Sequence, residues 1–370
     1  MMHRLRHFSP IRRSLRFDLV GQRHVDEFFE KHFCALVVET HALVSMVFCP
    51  NNEDKGKITS SPWKQEYPRQ FDQYAELLAR PDPSRGDWEM LLSNREERKH
   101  LLQAIITKIL ETEAFSSLLF GAGPEHRKVL ETVNASSAEG FRRSSLRAQT
   151  NLKYLEDTFG EPPLFWDEVD NLCARVVTVL APLYKWTTEV EGSQSSPIMT
   201  IYQSFHDVIS YACWLSVCIQ TSPGIIDYDW VAPGDLYHLD QVNLNHELYE
   251  ESMEAARGSE QEMAARVKIC VVPKMVRYKP ALDAMGTRGT ESYTIMQPHV
   301  LYYHGRKLDQ DENDAYVSLP TYLDEHKLRR DRGISTGSPT LILVVIVFVL
   351  WMLVHALDLV KQFITNAGVV

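Results

Sequence analysis

The chain has 370 residues, of which 44% are hydrophobic and 24% are charged, and its formal net charge is -10 at pH 7. This composition is typical of a globular protein and excludes a wholly disordered chain. The acidic balance argues against nucleic acid as the main partner, because binding to phosphates requires a basic face. The length suits one large domain or two small ones.

The cysteines show no metal-binding or redox spacing. None of the six forms a C-x-x-C pair, so the sequence predicts neither a zinc site nor a thioredoxin-like motif. Several lie in apolar runs, which favours buried free thiols in a reducing compartment. A glycine-rich phosphate-binding loop is also missing from the sequence, and we therefore predict no cofactor and no metal. The six are Cys34, Cys49, Cys173, Cys213, Cys218 and Cys270.

Residues 1–17 carry five arginines and no acidic side chain. An apolar stretch of a secretory signal does not follow them, and Pro10 interrupts a helix there. We interpret this segment as a basic N-terminal tail. A weak mitochondrial presequence and a surface arm attracted to anionic lipid remain open.

Residues 18–222 have the apolar spacing of amphipathic helices and are predicted to form a helical domain. Ser93 and Glu96 have the spacing of a capping box, and Gly121 supplies a stop for the helix that they begin. Further helices are predicted at residues 25–48, 125–134, 141–159, 165–186 and 198–219. The last of these carries His206 and Asp207, which argue against a membrane span.

The pattern changes at Pro223 and Gly224. Apolar and polar residues alternate over 266–272, and residues 293–303 are rich in β-formers, so we predict two or more strands within a small mixed α+β portion at 223–306. A glycine- and threonine-rich loop, 285–290, joins them. Residues 307–338 are charged and lack periodicity, which indicates a linker.

Residues 341–357 read LILVVIVFVLWMLVHAL, the most apolar stretch of the sequence. With Pro339 and Thr340, a helix of this length reaches about 28 Å, close to the hydrocarbon thickness of a thin bilayer. We predict a transmembrane helix over 339–357, followed by a short tail at 358–370. Its marker residues are Pro339, Leu341, Val345, Phe348, Trp351 and Leu357.

The charges that flank this apolar segment predict its orientation. Lys327, Arg329, Arg330 and Arg332 precede it, whereas only Lys361 follows it, so the N-terminal bulk is expected to face the cytosol. Because few residues follow the segment, we expect a tail-anchored, single-pass protein. The expected partners are the lipid bilayer and an unidentified protein, and an endoplasmic reticulum or other endomembrane location is favoured over the mitochondrion.

Taken together, the predicted fold class is mainly α: a helical soluble domain with a small mixed α+β portion, plus one C-terminal transmembrane helix.

Three motifs resemble catalytic sites but lack their required context. Gly333-Ile334-Ser335-Thr336-Gly337 matches a hydrolase elbow but has no strand before it. His246 and Glu247 form half of a zinc-protease motif, but Glu250 stands where its second histidine is required. His206 with Asp207 is favoured as a polar or hydrogen-bonded core pair.

Two other segments remain candidates for function. Residues 227–235 read DYDWVAPGD, which is favoured as a turn fixed by Trp230, with a ligand site as the alternative. Arg142 and Arg143 precede Ser145, which makes Ser145 a possible phosphorylation site for a basic-directed kinase.

The succession of a helical region, the Trp230–Asp235 turn and the strand segment 267–278 resembles functionally uncharacterised proteins of filamentous fungi. The resemblance covers about residues 165–300 and implies neither an activity nor site residues. The sequence therefore predicts a membrane-attached interaction or scaffold protein without a recognisable catalytic motif. The alternative is a membrane-tethered enzyme whose active site is assembled from residues distant in sequence.

Overall fold

The computed structural model describes residues 8–17, 24–49, 60–190, 197–259, 261–282 and 288–335. The chain divides into two units, Met1–Val317 and Ser318–Val370. The helices of the first unit are α1 (Asp26–Phe48), α2 (Arg69–Leu78), α3 (Trp88–Ser93), α4 (Arg95–Leu110), α5 (Pro124–Ala135), α6 (Gly140–Leu155), α7 (Phe165–Val190), α8 (Ile198–Gln220), α9 (His246–Ala255) and α10 (Asp309–Asp314). Its strands are β1 (Ile225–Asp229), β2 (Val242–Asn243), β3 (Met263–Val272), β4 (Lys274–Leu282), β5 (Arg288–Met296) and β6 (His299–Arg306).

The helical core consists of α1, α4, α7 and α8, whose apolar faces pack on one another. Helix α8 lies deepest, because nearly all of its side chains from Phe205 onward are buried. Helix α4 begins one residue later than the predicted capping box places it: the side chain of Asn94 accepts hydrogen bonds from the backbone N–H groups of Glu96 and Glu97. At its other end, α4 continues into a π-helical turn, Glu111–Phe115.

The strands form two three-stranded sheets. One has the order β1-β4-β5 and is antiparallel throughout, with Tyr228 opposite Met275 and Val276 opposite Thr294. The other has the order β2-β6-β3, in which β2 is parallel to β6 and β3 is antiparallel to it. Both sheets contact helices, since β3 packs on α4 and β5 packs on α1.

The predicted fold class is wrong. Helices make up 58% of the structure and strands 15%, in two sheets that pack on the helical core. The polar residues Arg288 and Thr290 lie in the segment 285–290 that the sequence predicts as a loop, but strand β5 begins there. An antiparallel strand with one face in solvent carries such polar residues without leaving the sheet.

The predicted fold class also included a C-terminal transmembrane helix, which is not among the described helices. Among the described residues, α1 is the one helix long and apolar enough to cross a membrane, and it lies near the N-terminus. Core helices of soluble proteins pass the same test, and α1 contacts α4, α7, α8 and β5. The segment 339–357, with Pro339, Leu341, Val345, Phe348, Trp351 and Leu357, lies outside the described residues.

The second unit contains the described helix α11 (Leu319–Ser335), which begins at a turn where Ser318 Oγ and Thr321 Oγ1 are 2.9 Å apart. Together with α10 of the first unit, it occupies much of the stretch that lacked periodicity and was interpreted as a linker.

The six cysteines are free; five are buried and Cys34 is exposed. Burial raises the pKa of Cys173 to about 12, which keeps this thiol protonated and unreactive.

Candidate functional site

A surface groove of about 460 Å³ lies where the DYDWVAPGD segment meets the two sheets. Its lining includes Asp229 at the end of β1, Trp230, Asp235, His238, Asp240 and Lys274. The groove therefore combines an aromatic wall with acidic and basic side chains. We refer to residues 229–242, with Lys274, as the 229–242 groove.

The walls of this groove are fixed to β3 by backbone hydrogen bonds. The N–H of Gly234 donates to the carbonyl of Val267 at 2.7 Å, and the N–H of Tyr237 donates to the carbonyl of Ala265 at 2.9 Å. Gly234 has a φ of +98°, and a β-carbon there would lie 2.8 Å from the Arg80 guanidinium, so this turn requires glycine. The groove is thus preformed by the fold.

Trp230 is held by the π-helical turn that ends α4. Its Nε1 donates to Glu111 Oε2 at 2.6 Å, and Lys108 Nζ lies 4.9 Å from the centre of the indole ring. Lys108 Nζ also lies 2.7 Å from Glu111 Oε2. Because π-turns frequently occur at functional sites, this clamp supports a role for the Trp230 wall beyond packing.

Lys274, Asp240 and His238 form a chain of polar contacts in the groove. Asp240 accepts a hydrogen bond from Lys274 Nζ at 2.9 Å, and its other oxygen contacts His238 Nδ1. Hydrogen bonds from Lys274 and His238 lower the pKa of Asp240, and the bond to Asp240 raises the pKa of Lys274. The positive charge of Lys274 is therefore largely compensated within the groove.

The surface beside the groove is apolar and acidic. Leu236, Tyr237 and Val242 are exposed, and Leu239 retains 86% of its accessible surface. The groove lining carries three carboxylates, Asp229, Asp235 and Asp240, against one lysine, Lys274. This face therefore combines exposed hydrophobic side chains with an excess of negative charge.

The groove contains one pair of side chains that resembles part of an acid–base site. The contact between His238 and Asp240 resembles the orienting half of an acid–base pair. The described residues that line the groove include no serine, threonine or cysteine that could act as a nucleophile beside it. Across the residues that the structure covers, no group of three or more His, Cys, Asp or Glu side chains is placed to hold a metal ion.

Ser145 lies within α6, where its side chain is half-buried. The preceding Ser144 is buried and donates to the carbonyl of Gly224, and it accepts a hydrogen bond from Arg147. The serines and one arginine of the predicted kinase motif are therefore part of a packed helix. The role of Ser145 stays a prediction.

The catalytic-looking motifs are not assembled into one site. His206 contacts Asp170 at 3.3 Å and stacks on Trp166, whereas the carboxylate of Asp207 accepts a hydrogen bond from Gln203. His206 is thus a core histidine without Asp207 as its partner.

The other two motifs lie on helices. His246 and Glu250 are both exposed on α9, 3.4 Å apart, and Ser335 is the last residue of α11 rather than a residue after a strand. Neither arrangement provides the strand-turn-helix or paired-histidine context that the corresponding chemistry requires.

Sequence reasoning found the turn of the groove but missed the rest of its lining. Trp230 was singled out as a turn anchor, and the structure places it both in that role and in the groove wall. The sequence does not indicate the contact of Lys274 with Asp240 or that of Glu111 with Trp230, because sheet pairing and helix packing bring these residues together. The strand segment predicted at 267–278 includes Lys274 but carries no signal for its partner.

Comparison with protein-family models, with curated proteins and with solved structures gives no match to this chain. The resemblance to uncharacterised fungal proteins accordingly stays a prediction.

Proposed function

We propose that this chain is a membrane-attached interaction protein whose folded body recruits a partner protein through the 229–242 groove. The observation that carries the recruitment proposal is the exposed Leu239 on a preformed surface that also bears an excess of carboxylates. Exposed apolar side chains grouped beside a concave site are typical of protein interaction surfaces.

Attachment is supported by the sequence of residues 341–357, which contains one strongly polar side chain, His355, in seventeen positions. A segment of seventeen residues is at the short end of the range of about 17–25 that a bilayer-spanning helix requires. The basic residues that precede this segment, among them Lys327 and Arg330, favour a cytosolic position for the folded body. Its partners are then a lipid bilayer and a cytosolic protein, at an endomembrane.

The partner segment is inferred from charge and polarity. The groove has more carboxylates than basic side chains, since Lys274 faces Asp229, Asp235 and Asp240, while Leu236, Tyr237 and Leu239 supply apolar contact area. A segment that carries lysine or arginine beside large apolar side chains complements both features. Binding through such a surface should weaken as salt is raised, because exposed charges are screened.

Site-specific photo-crosslinking in cells tests this proposal. A photoreactive side chain at Leu239 is expected to give a discrete adduct, whereas the same group at Val129, an exposed apolar position on α5, should not. The paired substitution Asp229→Lys with Asp235→Lys should reduce the Leu239 adduct by about tenfold or more, because reversed charges repel a basic segment. Equal adducts from both positions, or a Leu239 adduct indifferent to the reversal, would contradict the proposal.

A further inference from the structure

Residues 8–17, termed here the N-terminal arm, lie across α1, α7 and α8 as an ordered segment rather than as a free basic tail. Gln203 of α8 binds both backbone groups of Ile11: its Oε1 accepts from the N–H and its Nε2 donates to the carbonyl, each at 2.8 Å. Trp214 Nε1 donates to the carbonyl of Arg16 at 3.1 Å. These contacts hold the arm through its backbone at two points.

Two side chains also anchor the arm: Arg13, which lies between Ile11 and Arg16, and Phe17, which follows Arg16. The guanidinium of Arg13 forms two hydrogen bonds with the carboxylate of Glu39, at 2.6 and 2.9 Å, and lies 4.2 Å from the ring centre of Tyr211. Phe17 is buried, with its ring centre 4.9 Å from that of Phe165. A bidentate arginine pair of this kind fixes geometry as well as charge.

Side-chain burial alternates along the arm. Arg13 and Leu15 are partly buried and Phe17 is buried, whereas Arg12, Ser14 and Arg16 are exposed. This period of two is that of an extended chain, in which neighbouring side chains point in opposite directions. The hydroxyl of Ser14 therefore lies on the solvent side, with an arginine two residues before it and another two residues after it.

The sequence around Ser14 repeats the motif that singled out Ser145. Arg12 and Arg13 precede Ser14 directly, just as Arg142 and Arg143 precede the pair Ser144 and Ser145. The structural settings differ, because the second motif lies in a packed helix and the first lies in a non-helical, exposed segment. A kinase must align the attacking hydroxyl with the γ-phosphate, which an exposed segment permits without unfolding.

We propose that Ser14 is the phosphorylation site of a basic-directed protein kinase, and that its phosphorylation releases the N-terminal arm from α1, α7 and α8. Ser14 Oγ attacks the γ-phosphorus of ATP, and the bond from that phosphorus to the oxygen bridging to the β-phosphate breaks. ADP leaves, and the hydroxyl proton passes to the catalytic base of the kinase.

Release follows from the charges on both sides of the contact. Arg13 lies on a face that carries the carboxylates of Glu39 and Asp207. A phosphoserine adds a charge of about -1.5 to -2, which offers Arg13 a competing anion and repels the carboxylates below it. The arm thereby loses the electrostatic part of its attachment, and the remaining contacts to Gln203 and Trp214 are too few to hold it on the helices.

The test uses the full chain, purified in a mild detergent, with ATP and a purified kinase that selects arginines preceding serine. Mass spectrometry should place the phosphate on Ser14, and incorporation should persist in Ser145→Ala and disappear in Ser14→Ala. Phosphate on Ser144 or Ser145, or no incorporation into the wild-type chain, would overturn the assignment of the site.

Hydrogen exchange tests the release separately. The Ile11 N–H is protected by Gln203, so exchange across residues 8–17 should become at least about tenfold faster after phosphorylation. Kinase treatment of Ser14→Ala should leave exchange unchanged, and Glu39→Gln without phosphate should also accelerate it. Complete phosphorylation of Ser14 without faster exchange would show that the arm stays docked and would overturn the proposed release.

Discussion

Replacing Glu97 with alanine is expected to lower the free energy of unfolding by about 3–5 kcal/mol. The Glu97 side chain is fully buried, its Oε1 lies 2.8 Å from Nζ of the buried Lys268, and Arg85 approaches the same oxygen at 3.4 Å. The substitution leaves the Lys268 charge buried between α4 and β3 without its carboxylate. Urea unfolding of the full chain in mild detergent, followed by tryptophan fluorescence, measures the loss.

The neighbouring Glu96 provides a matched control. Its side chain is 44% exposed and pairs with Lys99 one helical turn away, so Glu96→Ala should change the free energy of unfolding by less than about 1 kcal/mol. The double variant Glu97→Leu with Lys268→Met should recover much of the loss, because it removes both buried charges together. If Glu97→Ala is no more destabilising than Glu96→Ala, the ion pair does not join the helices to the sheet as described.

A decrease in stability between pH 6.5 and pH 4 is the second large expected effect, and His100 is its main source. Burial, with Lys99 and His41 nearby, lowers the pKa of His100 from its ordinary 6.5 to about 4, whereas Glu96 opposes the shift. The unfolded chain therefore binds more protons in this range. The contribution is fully present above pH 6.5 and is lost by pH 4, which amounts to about 3 kcal/mol.

The comparison that isolates His100 is the pH dependence of the free energy of unfolding in His100→Leu and in wild type. Burial also lowers the pKa values of His32, His206 and His299, so a smaller slope of the same sign should remain in the variant. An identical slope in wild type and His100→Leu would show that His100 is not held neutral by burial.

The local helical pattern was predictable where one face is apolar and the caps are polar. Helix α8 was predicted at 198–219 and is observed at Ile198–Gln220, and α7 begins at Phe165 as predicted. The end of α4 was not predictable. Its π-turn, Glu111–Phe115, is bonded to Trp230, which lies 119 residues later in the chain and donates a hydrogen bond to Glu111. Local periodicity contains no signal for such a contact.

In the sheets and the N-terminal arm too, local patterns were predictable and long-range contacts were not. Residues 266–272 were predicted as a strand and lie within β3, but β1 and the start of β5 carry too many polar residues to read as strands. The arm was interpreted as a tail because its arginines suggested solvation. Its anchor Gln203 lies 192 residues away from Ile11, and only the folded structure brings the two together.

The candidate site was predictable only as a turn. Glycine at position 234 and the aromatic Trp230 indicated a tight, packed segment, and the structure confirms the turn. The groove itself needs Lys274 and Asp240, which meet because β1 pairs with β4 and places Asp229 opposite Lys274. The charge and the exposure of the 229–242 groove follow from the order of the strands in the sheet. The spacing of residues in the sequence does not predict that order.

Protease protection on sealed membrane vesicles tests the proposed attachment and orientation most directly. We predict that the full chain stays with membranes after alkaline extraction and that added protease digests the folded body without detergent, leaving a protected fragment that contains residues 339–357. A chain that ends at residue 338 should be recovered in the soluble fraction. Release of the full chain by alkali, or a body that resists protease until detergent is added, would contradict the account.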